Sequence, residues 1–241
     1  QGGLDGYERN AVESFLAALE LAGPGAVLDV GANIGIYGLL AARYSARPVH
    51  AFEPVPTLAA ATRGVAAANG LDLAMNEIAL GRETGSATLY LSAVTDASNS
   101  LNEAFRQHTG TLTVPVERLD DYVARTGIVP AIIKIDTETT EPDVLAGGAE
   151  TIRTHRPWLF VEVLFGRTET QLAEEIAPHG YTFYHLDAPG RLEPCDTIVG
   201  EGSDSSGYMY LFVPEPLDEE FWTLRSRWRT ALDDAARTGQ V

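Results

Sequence analysis

The chain contains a single cysteine, Cys195, in 241 residues. One thiol cannot build an internal disulfide framework and suits a reducing compartment, so a cytoplasmic location is expected. No stretch reads as a secretory leader, and no apolar run approaches the ~20 residues that span a bilayer. A membrane partner is therefore not expected. Positive charge is also scarce, with 17 Lys and Arg against 34 Asp and Glu and a formal net charge of -17. Such a surface repels phosphate backbones unless basic residues cluster locally. The arginines near the C-terminus (Arg225, Arg227, Arg229, Arg237) are interspersed with acids, so nucleic acid is excluded as an expected partner. Repeats, low-complexity tracts and linkers are missing too. What is present is a chain that is 45% hydrophobic, long enough to bury a core as one domain.

Strand-like and helical runs alternate through most of it. Ala26–Val30 reads as a buried strand and Ile36–Tyr44 as a helix opening at a glycine turn. Residues 48–52 form a second strand, and alanine-rich residues 57–69 a second helix closed by Gly70 as a left-handed cap. Residues 73–80 read as strand three. Residues 131–136 are β-branched and almost wholly apolar, as expected of a strand covered on both faces. Pro142 then suits the first turn of a helix running toward His155, where Pro157 stops it. Residues 158–163, 181–186 and 208–213 complete the strands, with a helix over 172–179. This alternation implies an α/β fold, a doubly wound parallel sheet with right-handed crossovers.

Two parts depart from it. Residues 85–123 hold strand-like pieces at 87–91 and 111–116 around the polar stretch "TDASNSLNEAFRQHTG", and read as an insertion covering one end of the sheet. Helical spacing also marks residues 7–21 and 221–236, where Phe221, Leu224, Trp228 and Leu232 fall near one face. These helices are expected to pack on the domain or on a sister subunit, which leaves a homodimer open. A single domain over 1–241 results, with an N-terminal helix within 1–25, the insertion, and a C-terminal helix within 217–241.

The stretch "VLDVGANIGIYGLLAA", residues 27–42, carries the first strand through its turn into the helix. Gly31 and Gly35 permit a sharp turn and close approach of backbone to a ligand. A dinucleotide fingerprint would also need glycine at positions 33 and 36, which are Asn33 and Ile36, so a pyrophosphate turn is poorly supported. Asp29 before the turn suits an ammonium group better than a phosphate. Glu53, at the end of the second strand, can accept both hydroxyls of a ribose. Asp29, Gly31, Gly35 and Glu53 together fit a nucleoside carrying an amino acid, which describes S-adenosylmethionine.

Together with "AFEP" and "IIKIDTETTEPDVLAGGAETIRTHRPWLFVEVL", this stretch resembles the FkbM-type S-adenosylmethionine-dependent methyltransferases, over about residues 7–164. The resemblance implies a Rossmann-like methyltransferase fold, a mostly parallel seven-stranded sheet with an antiparallel last strand. It implies O-methylation of sugars or secondary metabolites. It places Asp29, Gly31, Ala32, Asn33, Gly35, Glu53, Pro54 and Asp136 at the cofactor, with "NEIAL" (Glu77 and Ala79 within it) passing the adenine. The family's usual glycine after the second acid of "DVEG" is replaced here by Thr139.

Methyl transfer from a sulfonium to oxygen is an in-line displacement, so a base is needed beside the acceptor hydroxyl. Asp136, Glu138 and Glu162, at or near the ends of two central strands, are the candidate carboxylates, and Glu141 reads as a helix N-terminal acid. His108, in the insertion, is the candidate imidazole. His185 lies near the same end of the sheet, whereas His50, His155 and His179 read as structural. Asp136, Glu138 and Glu162 could hold magnesium, since hard cations prefer carboxylates, but their spacing matches no metal signature and no metal ligand is assigned. Ser98, Asn99, Ser100 and Asn102 could hydrogen-bond a polar acceptor, and Trp158 and Trp222 read as core. The expectation is an O-methyltransferase acting on a hydroxylated small molecule. An N-methyltransferase and a non-catalytic scaffold are its rivals, the latter favoured by Thr139.

Overall fold

In the computed structural model, residues 8–93, 99–105, 107–198 and 208–238 are described. Helix α1 (Arg9–Leu21) precedes β1 (Ala26–Val30), α2 (Ile36–Tyr44), β2 (Val49–Phe52), α3 (Pro56–Ala68) and β3 (Ala74–Asn76). An excursion through β4 (Ala79–Leu80), β5 (Gly85–Ser92) and β6 (His108–Glu117) returns by α4 (Leu119–Thr126) to β7 (Pro130–Ile135). Helices α5 (Glu141–Gly147) and α6 (Ala149–His155) lead to β8 (Trp158–Glu162), α7 (Glu169–Ile176), β9 (Thr182–His185), β10 (Met209–Val213) and α8 (Glu219–Thr238).

Seven strands form the central sheet in the order β3-β2-β1-β7-β8-β10-β9. Its ladders are parallel except those of β10, which runs antiparallel to both β8 and β9. The expected doubly wound, mostly parallel sheet with an antiparallel last strand is therefore the fold of the chain. Alternation of side chains explains why both faces are covered. Val27, Ile132 and Phe160 face a cluster with α1, α2 and α8, whereas Leu28, Ile133, Leu159 and Val161 face α4, α5, α6 and α7.

Three expected boundaries shift, each for a steric or pairing reason. Residues 73–80 are not one strand: β2 ends its pairing at Phe52 opposite Asn76, so Ala79–Leu80 leaves the sheet and joins β6. The helix expected from Pro142 to His155 breaks at Gly147 and Gly148, where a Cβ on Gly147 would stand 2.0 Å from the Gly81 carbonyl oxygen. The insertion is shorter than expected, because α4 within residues 85–123 buries Leu119 and Tyr122 in the main core. Its two strand-like pieces do pair, antiparallel, as β5 and β6.

The terminal helices meet each other. Phe15 of α1 makes edge contacts with Tyr37 and Phe160, and Phe221 and Trp222 of α8 join the same cluster. Glu13 of α1 is fully buried, and its carboxylate lies 3.0 Å from Arg225 Nε and 2.8 Å from Arg229 Nε of α8. Arg225 also donates to the carbonyls of Ala188 and Gly190. No helix among the described residues is long and apolar enough to cross a membrane. Removing one member of a buried ion cluster strands its partners in low dielectric. Glu13→Ala is therefore expected to cost about 3 kcal/mol or more in urea unfolding, and a loss below about 1 kcal/mol would make the cluster a bystander to the helix docking.

Candidate active site

The site gathers at the carboxyl ends of β1, β2, β7 and β8, where strand order reverses between β1 and β7. Gly31 has φ +72°, and a Cβ there would lie 1.8 Å from the Asp136 carbonyl oxygen. Only glycine lets the end of β1 touch the end of β7 so closely. The Gly31 and Ala32 N–H groups donate to the Phe52 carbonyl, tying the turn to β2. Glu53 then fastens the turn from the other side: Oε2 accepts the Asn33 N–H at 2.8 Å and Oε1 accepts the Val55 N–H at 2.8 Å. Burial pushes its carboxyl up while these bonds pull it down. Each oxygen keeps further acceptor capacity toward the cavity.

Beneath the turn sits a buried ion cluster. Asp29 and Lys134 are register partners on β1 and β7, and both side chains are almost completely buried. Lys134 is the only lysine of the chain. Its Nζ lies 3.1 Å from Asp136 Oδ2, 3.8 Å from Asp29 Oδ1 and 5.3 Å from the centre of the Tyr37 ring, and it donates to the Gly31 carbonyl. Asp29 Oδ2 accepts the Gly38 N–H at 2.7 Å. Burial raises the Asp29 carboxyl, opposed by Lys134 and the Gly38 bond. The cation that faces Asp29 is thus the protein's own lysine, and Asp29 is sealed away from the cavity instead of lining it.

The acidic end is built on the loop after β7. Glu138 and Thr139 take left-handed backbone, φ +57° and +90°, a conformation costly for a β-branched residue. That explains why glycine suits position 139 and why Thr139 needs support. Glu141 Oε1 accepts the N–H groups of Thr137 at 2.8 Å and Thr139 at 3.2 Å. Ser100 Oγ donates to the Glu138 carbonyl, and Asn102 Nδ2 donates to Thr139 Oγ1. So held, one carboxylate oxygen each of Asp136, Glu138 and Glu162 lie within 4.8 Å of one another. Burial first, then the charges of Asp136, Glu141 and Glu138, raises the Glu162 carboxyl well above its ordinary value.

A cavity of about 280 Å³ joins these parts. Of the expected site residues, Gly31, Ala32, Asn33, Glu53, Pro54, Ala79, Asp136, Glu138 and Glu162 line it. The others stand elsewhere. Gly35 packs under the turn, where a Cβ would lie 2.3 Å from Thr62 Cγ2. Glu77 pairs with Arg63 on the surface, and its neighbour Ile78 lines the cavity instead. His108 is exposed on β6 against Tyr90, carried off by the second sheet. His185 stacks on Tyr210 and lies 3.4 Å from Asp187. Asn99 reaches the cavity, Ser100 and Asn102 serve the loop, and Ser98 lies outside the described residues. Trp158 and Trp222 pack around Phe221.

Sequence reading overlooked Lys134, Tyr37 and Glu8, which also line the cavity. A lone lysine inside the apolar run "AIIKI" was the visible signal for the first. Glu8 had none, since it meets Tyr37 only across the fold, accepting its hydroxyl hydrogen at 2.8 Å.

Burial holds Glu141 up to about 7, against the pull of the Thr137 N–H. A folded-state value above the unfolded one means that folding retains a proton, so this contribution is full below about 4.5 and is lost as pH rises toward 7. Melting temperature is expected to fall across that interval, and Glu141→Gln to flatten the fall. Parallel profiles for parent and variant in thermal melts would show that Glu141 does not titrate there.

No curated protein matches the chain in sequence. Among solved structures, the methyltransferase FkbM of Methylobacillus flagellatus KT superposes with a TM-score of 0.51 at 17% identity, over 78% of this chain and 43% of that one. The chain thus spans less than half of that protein's length. The precorrin-6y C5,15-methyltransferase of Geobacter metallireducens GS-15 aligns at 12% identity and a TM-score of 0.48, over 84% of this chain and 86% of that one. The first likeness is one of fold. In sequence, residues 29–189 match the methyltransferase FkbM domain. That match covers the glycine turn, Glu53, the loop after β7 and Glu162, and with it the chain belongs to the FkbM family of S-adenosylmethionine-dependent methyltransferases.

Proposed function

We propose that this chain moves the methyl group of S-adenosylmethionine to a hydroxyl oxygen of a small sugar-like or secondary-metabolite acceptor in the cytoplasm. The observation that carries this reading is the meeting, in one cavity, of the β1 turn with Glu53 and of the Asp136, Glu138 and Glu162 carboxylates. The donor side has the chemistry of a nucleoside pocket. Glu53 offers oxygen lone pairs to ribose hydroxyls, and Pro54, Ile78 and Ala79 offer apolar walls to a base. Bound there, S-adenosylmethionine supplies an electrophilic methyl group on a sulfonium, whose positive charge suits the acidic end.

On the acceptor side, Glu162 is the natural proton acceptor. A carboxylate held well above its ordinary value by burial and like charge is a stronger base than a solvated one. Asp136, salt-bridged to Lys134, fixes the rim from which an acceptor hydroxyl is presented. The net charge of -17 favours a small acceptor over a nucleic acid. The same excess of carboxylate favours a second reading, methylation of a protonated amine that loses its proton on binding.

Titration calorimetry with S-adenosylhomocysteine tests the donor side. One site per chain is expected, with Glu53→Ala at least ~10-fold weaker because turn and ribose contacts are lost together; unchanged affinity would remove Glu53 from the site. For the acceptor side, a panel of hydroxylated and amine acceptors is screened by mass spectrometry. Glu162→Gln is expected to lower turnover ~10²-fold or more while S-adenosylhomocysteine affinity stays within a few-fold. Methylated amines without any methyl ether would replace the hydroxyl reading by the second one.

A further inference from the structure

We infer that Asp136, Glu138 and Glu162 form a binding site for one divalent cation of the Mg²⁺ or Mn²⁺ class at the acceptor end of the cavity. The first observation is convergence. One oxygen from each carboxylate lies within 4.8 Å of the other two. An octahedral ion with ligands at about 2.1 Å separates its oxygens by roughly 3 to 4 Å, so small rotations of three side chains close the set.

The second observation is independent of the first. Glu162 is only 8% exposed, and its Oε2 is buried with no hydrogen-bond partner among the described residues. A carboxylate oxygen removed from water without a donor carries a full desolvation penalty. Lys134 relieves it only in part, being engaged with Asp136, Asp29 and the Gly31 carbonyl. Glu141, the remaining acid in this group, spends Oε1 on the loop N–H groups. Hard oxygen donors around an incompletely compensated charge are the donor set that Mg²⁺ and Mn²⁺ prefer.

The partial exposure of Asp136 and Glu138 matters as well. It leaves coordination positions for water and for an acceptor oxygen, which an ion that dehydrates reluctantly requires. A cation placed there would bind the acceptor hydroxyl directly and ease loss of its proton. In that role it rests on the methyl-transfer reading above, although binding of the ion does not require it.

Manganese alone, titrated into the full chain by calorimetry and by the loss of its free electron-resonance signal, tests the site. One saturable site per chain is expected, displaced by excess Mg²⁺. Glu162→Gln and Glu138→Gln should each weaken it ~10-fold or more, the second keeping the test open if the first variant does not fold. Absence of saturable binding up to ~10 mM, or binding indifferent to both variants, overturns the cation site. Titration of the same samples with S-adenosylhomocysteine separates the two ideas. Donor binding without manganese binding removes the ion and leaves methyl transfer standing, whereas manganese binding without donor binding does the reverse.

Discussion

An ammonium group buried in the central sheet is affordable only where carboxylates surround it, and the ammonium of Lys134 organises this molecule's cavity on that condition. It sits between Asp29 and Asp136 and donates to the Gly31 carbonyl. A lysine so desolvated would otherwise lose its proton, and carboxylates so desolvated would gain one. The two costs offset each other only if β1 and β7 hold their register and the glycine turn closes onto Asp136. Charge pairing and backbone approach therefore enforce the same geometry.

The offset is incomplete on one side. Lys134 serves the floor of the cavity, while Glu138 and Glu162 crowd toward Asp136 at the rim. The floor thus holds paired charges, and the rim is left strongly negative. For the proposed methyl transfer, such asymmetry would supply fixed charges in place before the reaction, with no reorganisation during it. Burial first, with like charge added to it, raises the carboxyls of Glu141 and Glu162 at this end of the cavity.

The rim also depends on parts of the chain far from it in sequence. Left-handed backbone at Glu138 and Thr139 is maintained by hydrogen bonds from Ser100 and Asn102, next to the second sheet, and by Glu141 at the start of α5. Without a glycine to absorb the turn, the loop takes its shape from these neighbours. The insertion is in this sense a brace for the acidic rim as well as a wall of the cavity, where Leu89, Asn99 and Leu101 face inward.

The alternation of apolar strands and helices, the glycine turn, Glu53 and the acids after β7 were all legible in the sequence, because each is a local consequence: burial selects β-branched runs, a positive φ selects glycine, and strand ends in a wound sheet point at one cleft. Those residues alone were enough to indicate a doubly wound fold and a nucleoside-bearing cofactor. Tertiary structure decided what depends on distance through space. It paired Asp29 with an internal lysine beneath the cavity, turned Glu77 out to Arg63 and Ile78 inward, and carried His108 away on a separate sheet. It also brought Glu162 of β8 to the loop after β7. Sequence spacing reports which face of an element a side chain occupies, whereas the charge it meets there is set by the register and packing of strands that the chain reaches only after long crossovers.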